Sequence, residues 1–193
     1  MSVIRAFIAI EIDPEITRQL ARIADELQEM IGSNAVRWVP PANIHLTLKF
    51  LGDVSLNNLE LLKDGLRTEA SIHERFNISV GGLGAYPKIR NPRVIWVGLE
   101  GPDTLIALQR SIEMQMERLG YERDRRQFSP HLTLGRVSRS AQPAEIRAVS
   151  SALDQYKLGF LGITPVHAVK LYRSDLHSDG AVYTPLMSVA LNS

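Results

Sequence analysis

The feature that most constrains this chain is an internal repeat built around one tetrapeptide. The sequence His-Leu-Thr-Leu occurs at His45–Leu48 and again at His131–Leu134. Before each copy lies a short run rich in β-branched and aromatic residues, Arg5–Glu11 in the first half and Arg93–Leu99 in the second, and such runs are typical of strands. A proline beside an acidic residue follows each run and favours the start of a helix.

Apolar residues spaced three or four apart predict two helices in each half, and a further strand follows each second helix. The predicted helices are Ile16–Leu27, Asn58–Ala70, Leu105–Met116 and Ala144–Tyr156, and the closing strands are Phe76–Val80 or beyond and Val166–Tyr172. Each half therefore reads β-α-β-α-β. We predict an α+β fold in which the two halves form two pseudo-symmetric lobes, with mainly antiparallel sheets around a central cleft. Residues 1–193 would form a single domain, and we expect a monomer.

A glycine-rich string, Gly81–Gly84, precedes Pro87 and Asn91-Pro92 and is predicted to mark the crossing between the halves. The string is not a phosphate-binding loop, because it lacks the Lys-Ser/Thr ending and no clear helix follows it.

Charge and composition exclude several classes of protein. Lys plus Arg is 22 and Asp plus Glu is 21, which argues against binding along nucleic acid mainly by bulk charge but leaves room for a small basic pocket. The absence of cysteine removes disulfides, thiolate metal sites and a cysteine nucleophile. No stretch is long and apolar enough for a membrane helix, and Arg5 interrupts the apolar run Val3–Ile10, so no signal peptide is predicted. We expect a cytoplasmic protein.

The two tetrapeptides carry the chemistry. Side chains alternate along a strand, so His45 and Thr47 share one face, as do His131 and Thr133, while the leucines point to the core. An imidazole titrates near neutral pH, so one histidine can remove a proton while the other donates one. Threonine hydroxyls can bind phosphate oxygens between them. This arrangement suits in-line displacement at phosphorus without a metal or another cofactor.

Two histidines are also the beginning of a zinc site, in which His177, Ser178 or Asp179 would have to supply a third ligand. His73 and His167 are predicted to be structural.

Basic residues near the motifs favour an anionic ligand. The segment Glu122–Arg139 carries five arginines against two acidic residues. Lys88, Arg90 and Arg93 form a second basic group, and Arg37 and Lys49 flank the first motif.

The paired motifs resemble those of the 2H phosphoesterase superfamily, and within it those of the RNA 2′,3′-cyclic phosphodiesterase family, also called 2′-5′ RNA ligase. The resemblance covers nearly the whole chain, in the strings RAFIAIE, IHLTLKFLG, SPHLTLGR and LYRSDL. It implies hydrolysis of a 2′,3′-cyclic phosphate on an RNA end or a nucleotide, leaving a 2′-phosphate. It also implies that His45 is the proton donor and His131 the proton acceptor, since the pseudo-symmetry of the residues alone leaves that order open. By the same resemblance, Thr47 and Thr133 bind phosphate.

The resemblance would also place Arg136 on the phosphate and Phe50 against a base. In a regular strand both side chains would point away from the cleft, because each lies five residues after its histidine. Gly135 could permit a β-bulge that turns Arg136 back. Tyr172, Arg173 and Tyr183 belong to the family-like ending, but no physical argument from the sequence places them in the site.

Two other readings stay open. The same cleft could bind an RNA end without turning it over. Alternatively, the enzyme could act on 2′-5′ linkages, as a ligase or a phosphodiesterase, or on a cyclic phosphate of a small nucleotide derivative.

Overall fold

The structure is a computed structural model that describes residues 3–178 and 180–193, and two antiparallel sheets with helices packed on them form its framework. The helices are α1 (Pro14–Ile31), α2 (Leu59–Ala70), α3 (Asp103–Arg118) and α4 (Pro143–Gln155). The strands are β1 (Val3–Glu11), β2 (Val36–Trp38), β3 (His45–Ser55), β4 (Phe76–Lys88), β5 (Asn91–Glu100), β6 (His131–Val137), β7 (Phe160–Val166), β8 (Ala168–Leu176) and β9 (Ala181–Ala190).

Helix α1 shows how local sequence sets these elements. The Asp13 side chain accepts a hydrogen bond of 2.8 Å from the Glu15 backbone N–H, and Pro14 occupies the first helical turn. At the other end Gly32 adopts a left-handed conformation with φ of 65° and donates its backbone N–H to the Gln28 carbonyl. The predicted apolar stripe Ile16–Leu27 faces the core, where Leu20 and Leu27 are fully buried.

The sheets repeat one strand order. The first sheet runs β3-β1-β8-β9, and the second runs β2-β6-β5-β4-β7, with every pairing antiparallel. The order β3-β1-β8 therefore corresponds to β6-β5-β4 under a pseudo-twofold relation. The predicted α+β class with mainly antiparallel sheets and pseudo-symmetric lobes is confirmed.

The structure corrects one detail of that prediction, because a lobe is not one half of the chain. The closing strand β4 of the first half lies in the second sheet, and β8 of the second half lies in the first. Helices α1 and α3 are exchanged too: α3 packs with α2 on the first sheet, while α1 packs with α4 on the second. Strand β4 lies in the second sheet because a short turn connects it to β5, and strands joined by a tight turn pair as antiparallel neighbours. We call the first sheet with α2 and α3 the first lobe, and the second sheet with α1 and α4 the second lobe.

The glycine-rich string does not form a crossing loop but lies inside β4. Gly82 has a φ of 73°, and the β4–β5 register shifts between Gly81 and Leu83, so the string forms a β-bulge. A Cβ at Gly84 would collide with the indole of Trp96 on β5. Glycine within a strand marks bulges and close approaches, and the turn expected here lies further on, between Lys88 and Asn91.

The strands also differ from the prediction. The segment predicted as one strand, Val166–Tyr172, is divided at His167 between the end of β7 and the start of β8. Strands β2 and β9 were not predicted; β2 pairs with β6 at the edge of the second sheet, and β9 pairs with β8 at the edge of the first. Among the described residues, no helix is both long and apolar enough to cross a membrane.

Candidate active site

Both motif strands contain a β-bulge at the same place. On β3, Thr47 pairs with Ala9 and Lys49 pairs with Ile8, so Leu48 is an extra residue. On β6, Thr133 pairs with Trp96 and Gly135 pairs with Ile95, so Leu134 is the extra residue. Each bulge reverses the alternation of side chains beyond the threonine.

The bulges decide where Phe50 and Arg136 lie. Regular alternation would have turned both side chains to the core, but both are exposed, and Phe50 retains 62% of its accessible surface. Both line the same cleft as the histidines. The bulge predicted at Gly135 is thus present, and the matching bulge on β3, which was not predicted for Phe50, produces the same outcome.

The cleft has a volume of about 1260 Å³ and lies between the two motif strands. All of the residues predicted for the site line it, namely His45, Thr47, Phe50, His131, Thr133 and Arg136. His73 and His167 are absent from its lining, and His73 is instead hydrogen-bonded through Nε2 to the Ser111 hydroxyl at 2.8 Å.

The two imidazoles are held in the same way. Nδ1–H of His45 donates to the Asn43 carbonyl oxygen at 2.8 Å, and Nδ1–H of His131 donates to the Ser129 carbonyl oxygen at 2.8 Å. A carbonyl oxygen can only accept, so Nδ1 carries the proton in both rings and Nε2 is the nitrogen left for proton transfer. Nε2 of His45 lies 3.0 Å from the Thr47 hydroxyl, which donates to it when the ring is neutral.

The first lobe surrounds His45 with aromatic rings. Phe7 stacks on the imidazole at a centroid distance of 4.7 Å, and Tyr183 meets it edge-on at 5.3 Å. Tyr172 stacks on Phe7 at 5.2 Å, and its ring lies 6.4 Å from the imidazole. Burial among these groups lowers the pKa of His45 to about 4, because an apolar setting disfavours the charged imidazolium.

Tyr172, Glu11 and Lys170 form a hydrogen-bonded polar cluster next to these aromatic rings. The Tyr172 hydroxyl donates to the Glu11 carboxylate at 2.6 Å, and the Lys170 ammonium lies 2.6 Å from the same carboxylate. Burial and the Glu11 carboxylate raise the pKa of Tyr172, so its hydroxyl keeps its proton. Burial alone would raise the pKa of Glu11, but the hydrogen bonds from Lys170 and Tyr172 outweigh it and lower that pKa.

The second lobe surrounds His131 differently. Tyr86 meets the imidazole edge-on at 5.2 Å, and the Trp96 ring lies at 6.4 Å. The Tyr86 hydroxyl donates to the Ser129 hydroxyl at 3.0 Å, next to the carbonyl that holds His131. Tyr86 and Tyr172 hold equivalent places in the two sheets. Val94 of β5 and Phe7 of β1 are equivalent, because they pair with Arg136 and Phe50. On the other side, Val94 pairs with Tyr86 and Phe7 pairs with Tyr172.

A buried ion pair anchors the segment between α3 and β6 to the cleft. Lys49, at the bulge of β3, pairs with Glu113 of α3, and both residues are 4% exposed. Lys49 also donates to the Glu122 carbonyl, and the Glu113 carboxylate accepts the Asp124 backbone N–H at 2.9 Å. This segment, residues 119–130, carries three arginines to the cleft and contains Ser129. We call it the arginine segment.

Sequence reasoning missed the aromatic neighbours of the histidines and the buried Lys49–Glu113 pair. Phe7, Tyr86, Trp96 and Glu113 gave no signal, because they reach the site from strands and a helix whose pairing the sequence does not reveal.

The zinc alternative gains no further ligand from the described part of the chain. Within residues 3–178 and 180–193, no three His, Cys, Asp or Glu side chains are grouped as a metal site would require. Asp179, one of the three residues considered for a third ligand, lies outside the described residues.

Comparison with known protein families finds the same repeat in the chain. The family model described as "LigT like Phosphoesterase" matches the chain twice, over residues 10–96 and 97–183. The chain belongs to the LigT-like phosphoesterase family. The resemblance to the 2H phosphoesterase superfamily, inferred above from the paired motifs, is thereby confirmed.

Relatives within the LigT-like family are similar over nearly their full length. The RNA 2′,3′-cyclic phosphodiesterase of Methanothermobacter thermautotrophicus is 34% identical, covering 95% of this chain and 96% of the relative. That of Archaeoglobus fulgidus is 32% identical, covering 94% and 97%.

Solved structures show the same fold. E. coli LigT complexed with 3′-AMP matches with a TM-score of 0.77 at 28% identity, over 100% of both chains. A Thermus thermophilus protein matches with a TM-score of 0.81 at 24% identity, over 98% of both chains, and this likeness supports the fold alone.

Proposed function

We propose that this LigT-like phosphoesterase hydrolyses 2′,3′-cyclic phosphates at RNA or nucleotide ends to 2′-phosphates, by metal-independent catalysis with two histidines. The observation that carries the proposal is the pair of His-x-Thr strands in one cleft, each histidine with Nδ1 bonded to a carbonyl and Nε2 left for proton transfer. The names of the relatives support the substrate, and the complex of E. coli LigT with 3′-AMP supports a nucleotide-sized ligand.

The reaction needs one base and one acid on opposite sides of the phosphorus. His131 Nε2 takes a proton from water, and the water oxygen attacks phosphorus. The bond from phosphorus to O3′ breaks, and O3′ receives the proton of His45 Nε2–H. The product has a 2′-phosphate and a 3′-hydroxyl, and solvent then restores both protonation states. The order of the two histidines follows from the family resemblance.

The lowered pKa of His45 has to be reconciled with its proposed role as the proton donor. At pH 7, protonating an imidazole with a pKa of about 4 costs about 4 kcal/mol, since each pH unit corresponds to about 1.4 kcal/mol. Opposite unit charges 4 Å apart attract by about 4 kcal/mol at an effective dielectric constant of 20. A substrate phosphate beside His45 therefore offsets the effect of burial, and His45 becomes a proton donor when substrate binds.

The remaining residues complete the site. Thr47 and Thr133 lie beside the histidines on the same strand faces, where their hydroxyls donate to non-bridging phosphate oxygens. Arg136, beyond the β6 bulge, adds a positive charge that binds the phosphate. Phe50, beyond the β3 bulge, offers an exposed ring for a base.

The decisive experiment incubates the protein with a synthetic RNA that ends in a 2′,3′-cyclic phosphate and locates the phosphate of the product. A 2′-phosphate supports the proposal, while a 3′-phosphate would reverse the assignment of the broken bond. Binding without turnover would instead support an RNA-end binding module. Matched RNAs with an internal 2′-5′ linkage test the ligase and 2′-5′ phosphodiesterase reading.

A further inference from the structure

The cleft is larger than the reacting group requires. Pockets that enclose a drug-sized ligand, a class that includes a single nucleotide, are about 300–1,000 Å³ in volume. This cleft has about 1260 Å³ and extends past the two histidines along the edge of the second lobe. Besides Arg136, the cleft is lined by further arginines, among them Arg37, Arg93 and Arg125.

Arg37 occupies a place that disfavours a positive charge unless an anion is present. It lies on β2 directly opposite Arg136 on β6, and like charges paired across strands repel. Among the described residues, no carboxylate lies within 4.0 Å of either guanidinium, although the chain as a whole carries nearly equal numbers of acidic and basic groups. Arg93, on β5, also lines the cleft and is exposed.

The arginine segment distinguishes Arg125 from its neighbours. Arg126 pairs with Asp124 at 2.7 Å, and hydrogen bonds from Arg126 lower the pKa of Asp124 to about 2. Arg123 lies 3.9 Å from Glu117. Arg125 has no such partner among the described residues, and it is exposed at the cleft.

The backbone next to Arg125 is firmly held. The Asp124 N–H is bonded to the buried Glu113 carboxylate, which is itself paired with Lys49. Because this backbone is already ordered, binding of an anion by Arg125 restricts only its side chain.

Aromatic side chains complete the surface. Trp38, next to Arg37, lines the cleft with its indole N–H bonded to Gln28 at 2.7 Å, which fixes the ring. Phe50 lies exposed in the other lobe. Unpaired arginines interleaved with aromatic rings are the usual means of binding a single-stranded nucleic acid.

Building on the proposed function, we infer that Arg37, Arg93 and Arg125 bind the backbone phosphates of nucleotides that lie 5′ of the terminal one. These contacts favour the end of an RNA strand over a mononucleotide with the same terminus. The reacting phosphate is held by the His-x-Thr motifs and Arg136, and the three other arginines hold the chain that leads to it.

The test compares two substrates, a nucleoside 2′,3′-cyclic monophosphate and an RNA hexamer with the same terminus. We expect a kcat/KM for the hexamer at least about tenfold above that for the mononucleotide, because several phosphate contacts are added. The hexamer's log kcat/KM should fall with log salt concentration at a slope of about −2, from about −0.7 for each of three contacts.

The triple variant Arg37→Gln, Arg93→Gln, Arg125→Gln should bring the ratio of the two kcat/KM values close to one and flatten the salt slope. A matched control removes the same charge from exposed arginines of the helices that do not line the cleft, Arg22→Gln, Arg110→Gln and Arg147→Gln. The control should keep the wild-type ratio. Equal kcat/KM values in the wild type, or a triple variant that keeps the ratio, would overturn the inference.

Equilibrium binding separates this inference from the proposed function. Fluorescence anisotropy with a labelled hexamer that ends in a 2′-phosphate needs no turnover. If the wild type hydrolyses neither substrate, the proposed function fails. The arginine surface would still be supported by hexamer binding that weakens at least about tenfold in the triple variant alone. Binding that is equal in all three proteins would refute it.

Discussion

The two motif strands share a geometry and differ in their surroundings. On β3 and β6, a histidine, a threonine and a bulge follow at the same spacing, and each Nδ1 is bonded to the carbonyl two residues earlier. His45, however, packs half-buried against Phe7 and Tyr183, while the equivalent surroundings of His131 contain Tyr86 and border the arginine segment. The repeat places the Nε2 atoms of two histidines in one cleft, and the side chains around them differ.

The same contrast continues past the bulges. Lys49 on β3 corresponds to Gly135 on β6, and Phe50 corresponds to Arg136. The first lobe therefore contributes a buried charge and an exposed ring, and the second contributes an exposed charge. A symmetric framework of this kind can bind an asymmetric ligand, with a base at one side and phosphates at the other.

The largest effect is expected from removing either imidazole. His45→Ala and His131→Ala should each lower kcat for cyclic phosphate hydrolysis by about 10²–10⁴-fold, the scale of a positioned acid or base. If the roles differ as proposed, the two variants should lose opposite limbs of the pH–rate profile. Circular dichroism and thermal unfolding provide the control for folding, and activity that survives in the double variant would refute the mechanism.

The next effect tests the bulge residues. Lys49→Met should lower the free energy of unfolding by about 3–5 kcal/mol, because it leaves the Glu113 carboxylate buried without its partner. Urea denaturation measures this change. The double variant Lys49→Met, Glu113→Leu should recover much of the loss, since no unpaired charge is then buried.

Gly135→Ala offers the matching measurement in the second lobe. A Cβ there would lie 2.7 Å from Val36 Cγ1 and 2.9 Å from Trp38 Cε3, so overpacking should cost about 1–3 kcal/mol. A larger loss at Gly135 than at Lys49 would contradict the difference drawn between the two bulges.

A comparable effect concerns the pH dependence of stability, which appears only on acidification. The pKa of His45 falls from an ordinary 6.5 to about 4 in the folded protein, so below pH 6.5 the unfolded chain binds a proton that the native state excludes. His45 should therefore reduce the free energy of unfolding by about 3 kcal/mol as the pH falls through this range, and above it the contribution is constant.

Urea denaturation from about pH 7 to about pH 4 should show a shallower dependence for His45→Gln than for the wild type. His131→Gln serves as the comparison for loss of a histidine in the other lobe. Identical pH dependence in the wild type and His45→Gln would show that His45 is not buried as a neutral ring.

The smallest effect is expected from metal removal. Incubation with EDTA should leave the hydrolysis rate unchanged within about twofold, because the proposed mechanism uses two imidazoles and no Lewis acid. Loss of activity that added Zn²⁺ restores would favour the zinc site instead, and a matched assay with EDTA pre-loaded with Ca²⁺ controls for nonspecific effects of the chelator.

The sequence predicted the residues that line the cleft better than the architecture around them. The shared faces of His45 and Thr47 and of His131 and Thr133 follow from alternation within each motif strand. The bulge that turns Arg136 does not follow from Gly135 alone, because β3 forms the same bulge with Lys49 in that place. The exchange of β4 and β8 between the lobes could not be predicted in this way. Both strands carry ordinary strand patterns, and the partner that each one selects depends on residues far away along the chain.

The sequence by itself determined the repeat, the α+β class and the faces of the two motif strands, because hydrophobic periodicity and bulge residues act over a few neighbouring positions. Tertiary structure alone decided that Phe7 and Tyr183 enclose His45, and that the Lys49–Glu113 pair holds the arginine segment against the cleft. These contacts join residues widely separated in sequence. The burial that lowers the pKa of His45 exists only once the chain has brought them together.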